Sequence, residues 1–358
     1  MFKILDRMII KDFLKTYVFV VLILISIILV IDFTEKNDDF IQKNVPTAEI
    51  LMYFLNFGLY MANLLTPITV FIAVVFITSR MAGRTEVVAI LSSGVSFWRF
   101  LRPYFIASMI IASFSFVLNG WILPNANKGR IAFQATYLED PYYNDERNKH
   151  IKIAEDTYAY IQTYYNNTDI GYVFSLEKIQ DNKLLEKLNA ERIQWDTTKN
   201  SWTVKNWKHR IIKDSTEIFR TGNSMDTVLS ITPADFGNSK GLWETLTLPG
   251  LTDHIQLLKS RGADDVNIYI IEKYIRYMSP FAAIVLTFIG VIVSARKTRG
   301  GSGYQIALGF MLSFIYIILF LLTKTFAETG STSPILAVWM PNIIFLVIGG
   351  IMYRTVPR

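Results

Sequence analysis

The sequence predicts a helical membrane protein with six transmembrane helices and one all-β insert between the third and the fourth. Three observations predict it. Long apolar runs fill the first third and the last quarter of a 358-residue chain that is 51% hydrophobic. The stretch between them, residues 123–270, is polar and holds short runs rich in strand-forming residues. Lysine and arginine collect in alternate connections between the apolar runs, the pattern that orients a membrane protein. The domain reading is residues 1–122 for helices one to three, 123–270 for the insert and 271–358 for helices four to six.

A bilayer core about 30 Å thick needs about 20 apolar residues in a helix to cross it. Residues 13–33 qualify, with only Lys15 charged. The basic start (Lys3, Arg7, Lys11) raises a signal peptide, but no small-x-small cleavage pattern follows, and Asp32, Glu35 and Lys36 close the run. It reads as a retained first span. Residues 50–79 would make a helix of about 45 Å, too long to cross upright, so this run must tilt or bend. Pro67 is the natural bend. The remaining spans are residues 103–122, 276–294, 304–323 and 334–353. Asn56, Asn63, Thr66, Ser108, Ser113, Ser115 and Asn119 lie inside the spans. Such residues suit helix packing or a cavity more than a passive anchor.

Orientation follows from the short loops. One side collects Lys3, Arg7 and Lys11, then Arg80, Arg84, Arg99 and Arg102, then Arg296, Lys297 and Arg299, then Arg354 and Arg358. The other side is mixed at residues 35–43 and has only Glu328 at 326–333. The positive side is expected to be cytoplasmic. Both termini are then cytoplasmic and the insert is outside, which in a bacterium is the periplasm.

The insert reads as β. Strand-like runs occupy residues 158–163, 172–179, 201–212, 216–220 and 225–231, separated by Asp-Asn, Lys-Asn-Ser and Thr-Gly-Asn clusters. Several short strands at this spacing indicate a sandwich, barrel or jelly roll. Residues 251–261 read as a short helix stopped by Gly262.

Several function classes drop out. The net charge of +6 does not point to nucleic acid, because the basic residues flank apolar runs. The chain has no cysteine, which excludes thiol catalysis, disulfides and cysteine-held metals. His150, His209 and His254 are far apart and read as surface or structural residues, so no metal and no cofactor is expected. No nucleophile–base constellation stands out, which argues against an enzyme. No G-x-x-x-x-G-K-[ST] loop occurs. The basic, glycine-rich residues 296–303 read as an orienting loop instead. If ATP drives this protein, another chain binds it.

Two segments could carry function. The first is the loop after span two. Residues 85–91 have helix-like apolar spacing, Glu86 is the acidic residue in them, and Gly94 is a helix stop. A short amphipathic helix on the cytoplasmic side, about residues 84–94, can lie on lipid or dock into a partner's groove. The plain alternative is an interfacial connector with a solvated glutamate. The second is the charge at the outer ends of spans one and five: Asp32, Glu35, Lys36, Lys324 and Glu328. Ionisable groups at the hydrocarbon boundary snorkel or line a polar cavity; the functional reading is that Asp32, Glu35, Lys36 and Lys324 contact the polar head of a bound lipid. Lys324 and Glu328 are spaced i,i+4 and can pair.

At this point the chain resembles the LptF/LptG permease family, the membrane subunits of the lipopolysaccharide exporter. The likeness begins at Leu5-Asp6-Arg7 and continues through Arg84-Thr85-Glu86-Val87-Val88 and Gly94. It includes Ala190-Glu191-Arg192-Ile193-Gln194-Trp195-Asp196 with Trp202, then Leu257-Leu258-Lys259-Ser260-Arg261-Gly262 and Pro280. Glu86 matches the acidic residue of the family's coupling helix. Arg84, Val87, Ile90, Leu91 and Gly94 complete that segment. The resemblance implies a periplasmic β-jelly-roll domain on six spans and a second, homologous permease subunit. It also implies a cytoplasmic ATPase dimer and a periplasmic bridge protein with its own β-jelly roll. Lipopolysaccharide would enter sideways between spans one and five and leave through the jelly rolls. The inward faces of this jelly roll would then hold an apolar sleeve, with Tyr158, Tyr160, Phe174 and Ile193 as candidates; an ordinary packed β core is the alternative. Leu5-Asp6-Arg7 and the Leu-Lys-Ser-Arg-Gly stretch are similar to the LptG type. The lysine that LptG-type members carry near the end of span one falls on Asp32 here, with Lys36 one turn away. The alternatives are the LptF-type partner and a membrane-anchored periplasmic lipid-binding or scaffold protein.

Overall fold

The computed structural model describes residues 4–138, 147–154, 156–165, 168–181, 183–213, 216–233, 241–261, 263, 266–295 and 301–354. The chain divides into two compact units. A helical unit holds Met1–Tyr137, Glu244–Pro249 and Asn267–Arg358. A β unit holds Leu138–Trp243 and Gly250–Val266. Six helices are long and apolar enough to cross a membrane.

Helix α1 (Ile4–Gln42) runs through the whole first apolar segment and its charged flanks. At 1.5 Å per residue its 39 residues span about 58 Å, so both ends pass beyond a hydrocarbon core. The second apolar run is two helices, α2 (Thr47–Leu64) and α3 (Thr66–Gly83). The break falls at Leu65, two residues before the expected bend. Pro67 explains the offset: it has no N–H to offer Asn63 and sits in the first turn of α3, where that donor is not needed. The Leu65 N–H closes the last turn of α2 on the Met61 carbonyl at 2.9 Å.

Helix α4 (Glu86–Ser92) is the short connector, and α5 (Phe97–Val117) is the third span. The chain does not leave the helix at residue 122. A π-helical turn at Leu118–Ile122 leads into α6 (Leu123–Phe133), and a second at Gln134–Leu138 follows. Residues 123–137 therefore pack with the helical unit, and the β unit begins at Leu138 where residue 123 was expected. The signal that misled is the polarity of α6, with Asn125, Asn127, Lys128 and Arg130 in eleven residues. Asn127 and Arg130 both bond the distant Glu244. Arg130 donates to Asn127 and Gln134, pairs with Glu244 and lies 4.2 Å over the Tyr60 ring.

After the last strand come α7 (Leu242–Thr245), α8 (Leu248–Arg261), most of which belongs to the β unit, and α9 (Val266–Ser294). Then follow α10 (Gly301–Glu328) and α11 (Pro334–Tyr353). Helix α8 ends at Arg261 as expected; its proposed stop, Gly262, lies outside the described residues, as do residues 296–300 of the basic loop. Helices α3 and α9 are the most buried spans. They meet across Gly290, where an added Cβ would lie 2.9 Å from Val74. One apolar cluster joins Phe13, Val74, Ile77, Tyr104 and Val291; another joins Phe71, Leu286, Tyr316 and Phe345. The intramembrane polar groups serve packing: Asn119 donates to Asn63 at 2.7 Å, and Tyr316 donates to Asn342 at 2.9 Å.

The β unit is a six-stranded antiparallel sheet in sequential order. Its strands are β1 (Arg147–Ala154), β2 (Thr157–Tyr165), β3 (Ile170–Gln180), β4 (Lys183–Asp196), β5 (Ser201–Lys213) and β6 (Thr216–Thr227). The insert is thus all-β and lies between helices, as the sequence predicts. Two expected runs, 216–220 and 225–231, are one strand that stops at Thr227. Residues 228–232 leave the sheet. Strand β1 was missed because Arg147, Lys149 and Lys152 dilute its apolar signal; cations of this kind are common on edge strands. One face of the sheet holds a dry cluster of Ile161, Phe174, Leu188, Ile193, Trp202 and Val204.

Candidate functional site

Three places collect the expected residues. The first surrounds α4. Helix α3 ends at Gly83, and Thr85 takes a left-handed conformation (φ 61°) that turns the chain into α4. Gly94, at φ 84°, closes the far end, where a side chain would be strained. Val87 is 1% exposed and belongs to the core of its own helical unit; Ile90 and Leu91 pack on the same side. Val87 is thus an anchor of α4 within its own unit, and Ile90 and Leu91 are only partly buried. What α4 offers outward is Val88, Ala89, Ser92 and Ser93. Glu86 stands at the rim, 3.9 Å from Arg84. Nearby in sequence, Arg99 grips Asp6 through two bonds of 2.8 and 2.6 Å, tying the start of α5 to α1. Bidentate geometry of this kind is the strong form of an ion pair.

The second place is the end of α1. Lys36 bonds Asp32 at 2.6 Å and the Tyr53 hydroxyl at 2.6 Å, and Tyr53 bonds the other Asp32 oxygen at 3.2 Å. The Lys36 ammonium also lies 5.0 Å from the Tyr53 ring centroid and 5.3 Å from that of Phe57. Asp32 and Lys36 are therefore one neutral unit. Glu35 is exposed on another face of α1. Lys324 pairs with Glu328 at 3.6 Å, the i,i+4 pairing that the spacing allows. Tyr53 was missed by sequence reasoning, because its link to α1 is a tertiary contact. A recess of about 250 Å³ opens beside it, lined by Glu49, Asn56, Phe133 and Tyr137 among others.

The third place is the sheet. The four expected sleeve residues do not share a face. Phe174 and Ile193 are fully buried in the cluster, whereas Tyr158 and Tyr160 point outward. Register explains this: Phe174 lies opposite Ile161, and Tyr160 is one residue out of step with Ile161. Outward Tyr160 meets the His150 ring at a tilt of 41° with centroids 4.6 Å apart, and Lys152 lies 5.8 Å from the Tyr158 ring centroid. Inward Tyr164 donates to Asp169 at 3.0 Å, and burial with that carboxylate pushes its hydroxyl well above the ordinary tyrosine value.

A model of the family described as lipopolysaccharide export system permease LptF/LptG matches residues 7–355, nearly the whole chain. The chain belongs to the LptF/LptG permease family. No individually curated protein matches the sequence. Membership makes the chain a lipopolysaccharide export permease subunit with six spans and a β insert, in a family whose members transport. For an LptF/LptG permease the geometry is informative in two ways. The conspicuous charges are neutralised locally, in the Asp32–Lys36 and Arg130–Glu244 pairs. The apolar flanks of α1 and α10 are bare: Phe19, Leu22, Val30, Phe310, Phe314 and Leu321 are all exposed. Among the described residues no group of histidine and carboxylate side chains is arranged to hold a metal ion.

Proposed function

We propose that this chain is the LptG-type subunit of an ATP-driven lipopolysaccharide extractor, working with an LptF-type partner, a separate ATPase dimer and a periplasmic bridge protein. Its termini and α4 face the cytoplasm and its β unit faces the periplasm. The observation that carries the reading is α4: a short helix anchored from beneath by Val87 and open above at Val88, Ala89 and Ser92. A chain with no nucleotide-binding loop must receive force through such a surface. Glu86 at its rim is the group that a basic residue of the ATPase would meet. The bare flanks of α1 and α10 support the rest. Apolar surface of this extent faces either lipid or a second subunit, and lateral entry of a lipid between spans one and five needs both. The apolar face of the sheet supports passage of acyl chains, whose burial is favourable by about 0.8 kcal/mol per CH₂. The Leu5-Asp6-Arg7 and Leu257–Gly262 stretches favour the LptG type. Gentle purification from native membranes tests this reading. A co-eluting ATPase and a second six-span permease are expected, and the sequence of that permease decides the type. A chain that elutes alone and still moves lipid would overturn it.

A further inference from the structure

The apolar face of the β unit is roofed by the chain itself. After β6 the burial of residues 228–232 alternates: Leu229 and Ile231 turn inward, and Val228, Ser230 and Thr232 turn outward. Ile231 is fully buried and sits in the same cluster as Ile161, Phe174, Ile193 and Trp202. The segment is fastened toward opposite parts of the sheet. Trp202 of β5 donates its indole N–H to the Ile231 carbonyl at 2.7 Å. The Ser230 hydroxyl donates to the Ile153 carbonyl of β1 at 2.7 Å. Strands β1 and β6 are the two edges of the sheet. From Thr227 to Ser230 the chain reaches about 11 Å at most, against about 24 Å across six flat strands, so the sheet curls and the segment passes from β6 to β1 over the apolar cluster.

We propose that residues 228–232 are a self-strap over the acyl-chain site of this β unit, with Leu229 and Ile231 occupying the place that the lipid's acyl chains take. This rests on the reading that lipid crosses the β unit. Leu229 and Ile231 are branched aliphatic side chains, chemically close to short pieces of acyl chain, so exchanging one for the other changes little in hydrophobic free energy. The bonds at Trp202 and Ser230 then set how readily the site opens. The strap keeps the face dry between transport events, and an arriving acyl chain displaces it. The ligand class is a multi-acyl amphiphile; a single polar sugar or peptide would not compensate the exposure of Ile231.

The chain has no cysteine, so a designed pair at Ile153→Cys and Ser230→Cys can lock the strap reversibly in the assembled complex. Photo-crosslinkers at Leu176, which packs against the cluster, and at Val30, on the bare flank of α1, report lipopolysaccharide at the two stages. Reduced complex should crosslink lipid at both positions during ATP turnover. Oxidised complex should keep the Val30 signal and lose the Leu176 signal about tenfold or more. A second variant, Trp202→Phe, keeps a smaller aromatic ring and removes the donor; it should raise Leu176 crosslinking about fivefold, the factor expected for one net hydrogen bond. Equal Leu176 signal in the locked and reduced states, or no change in Trp202→Phe, would overturn the strap while leaving the lipid route standing. No Leu176 signal in any state would overturn the route through this β unit, and the strap with it.

Discussion

Lys36 and Asp32 show how one residue decides the cost of its neighbour. A charge at the hydrocarbon boundary is costly alone, and here each neutralises the other while Tyr53 bonds both. Lys36→Met should destabilise the protein by about 3 kcal/mol, because Asp32 is left charged and largely buried. The double variant Asp32→Asn/Lys36→Met should cost clearly less than the sum of the singles, read by thermal unfolding in detergent. Additive costs would mean that the two charges do not interact. A second residue-scale effect lies in the β4–β5 turn. Hydrogen bonds from Thr198 hold the Asp196 carboxyl below its usual range. The bond from Lys199, with one from Thr203, does the same for Asp226. A depressed folded value stabilises fully above the unfolded value, about 3.9, and is lost as pH falls through the folded one. Protection of the β5 and β6 amides, measured relative to their intrinsic exchange rates, should therefore fall as pH drops below about 4, and Asp226→Asn should flatten that dependence. The i,i+4 spacing of Asp32 and Lys36, and of Lys324 and Glu328, was legible in the sequence. Tyr53 and the split of Tyr158 and Tyr160 from Phe174 and Ile193 were not, because they depend on tertiary contact and strand register.

At the scale of elements, α4 separates two jobs that one apolar stripe had merged. Val87 holds the helix to its own unit, and Val88 is 54% exposed on the opposite side. Val88→Asp and Glu86→Ala should each weaken ATPase retention while the spans stay folded and inserted. A charge pair desolvated by docking and then broken costs about 2–5 kcal/mol, so a loss of affinity of tenfold or more is expected for Glu86→Ala, and Glu86→Lys should be worse. Val87→Ala should instead lower thermal stability by about 2 kcal/mol, as cavity formation does, with smaller effect on retention. If Val88→Asp retains the ATPase as wild type does, α4 is a connector only. The existence of α4 was readable from apolar spacing ahead of the stop at Gly94, and α11 matched its expected bounds. Helix α6 was not readable, since Arg130 finds Glu244 across 114 positions of sequence. A local window sees only a polar stretch and assigns it to the insert.

For the whole molecule, the run of three spans, a β insert and three spans was legible because each layer has its own periodicity and composition. Sidedness rests on the basic loops alone, and single cysteines test it in a chain that has none. A cysteine at Ser93 should resist a membrane-impermeant thiol reagent in spheroplasts, and one at Lys183 should react; the reverse pattern would invert the orientation. The central claim is that this chain moves lipopolysaccharide with force delivered by another chain through α4. The direct measurement is ATP-dependent transfer of lipopolysaccharide from proteoliposomes holding the full complex to a soluble acceptor, with wild type beside Glu86→Ala. The account predicts transfer that requires ATP and falls at least tenfold in Glu86→Ala, with the six spans still inserted. Transfer that proceeds without ATP, or equal transfer by Glu86→Ala, would contradict it.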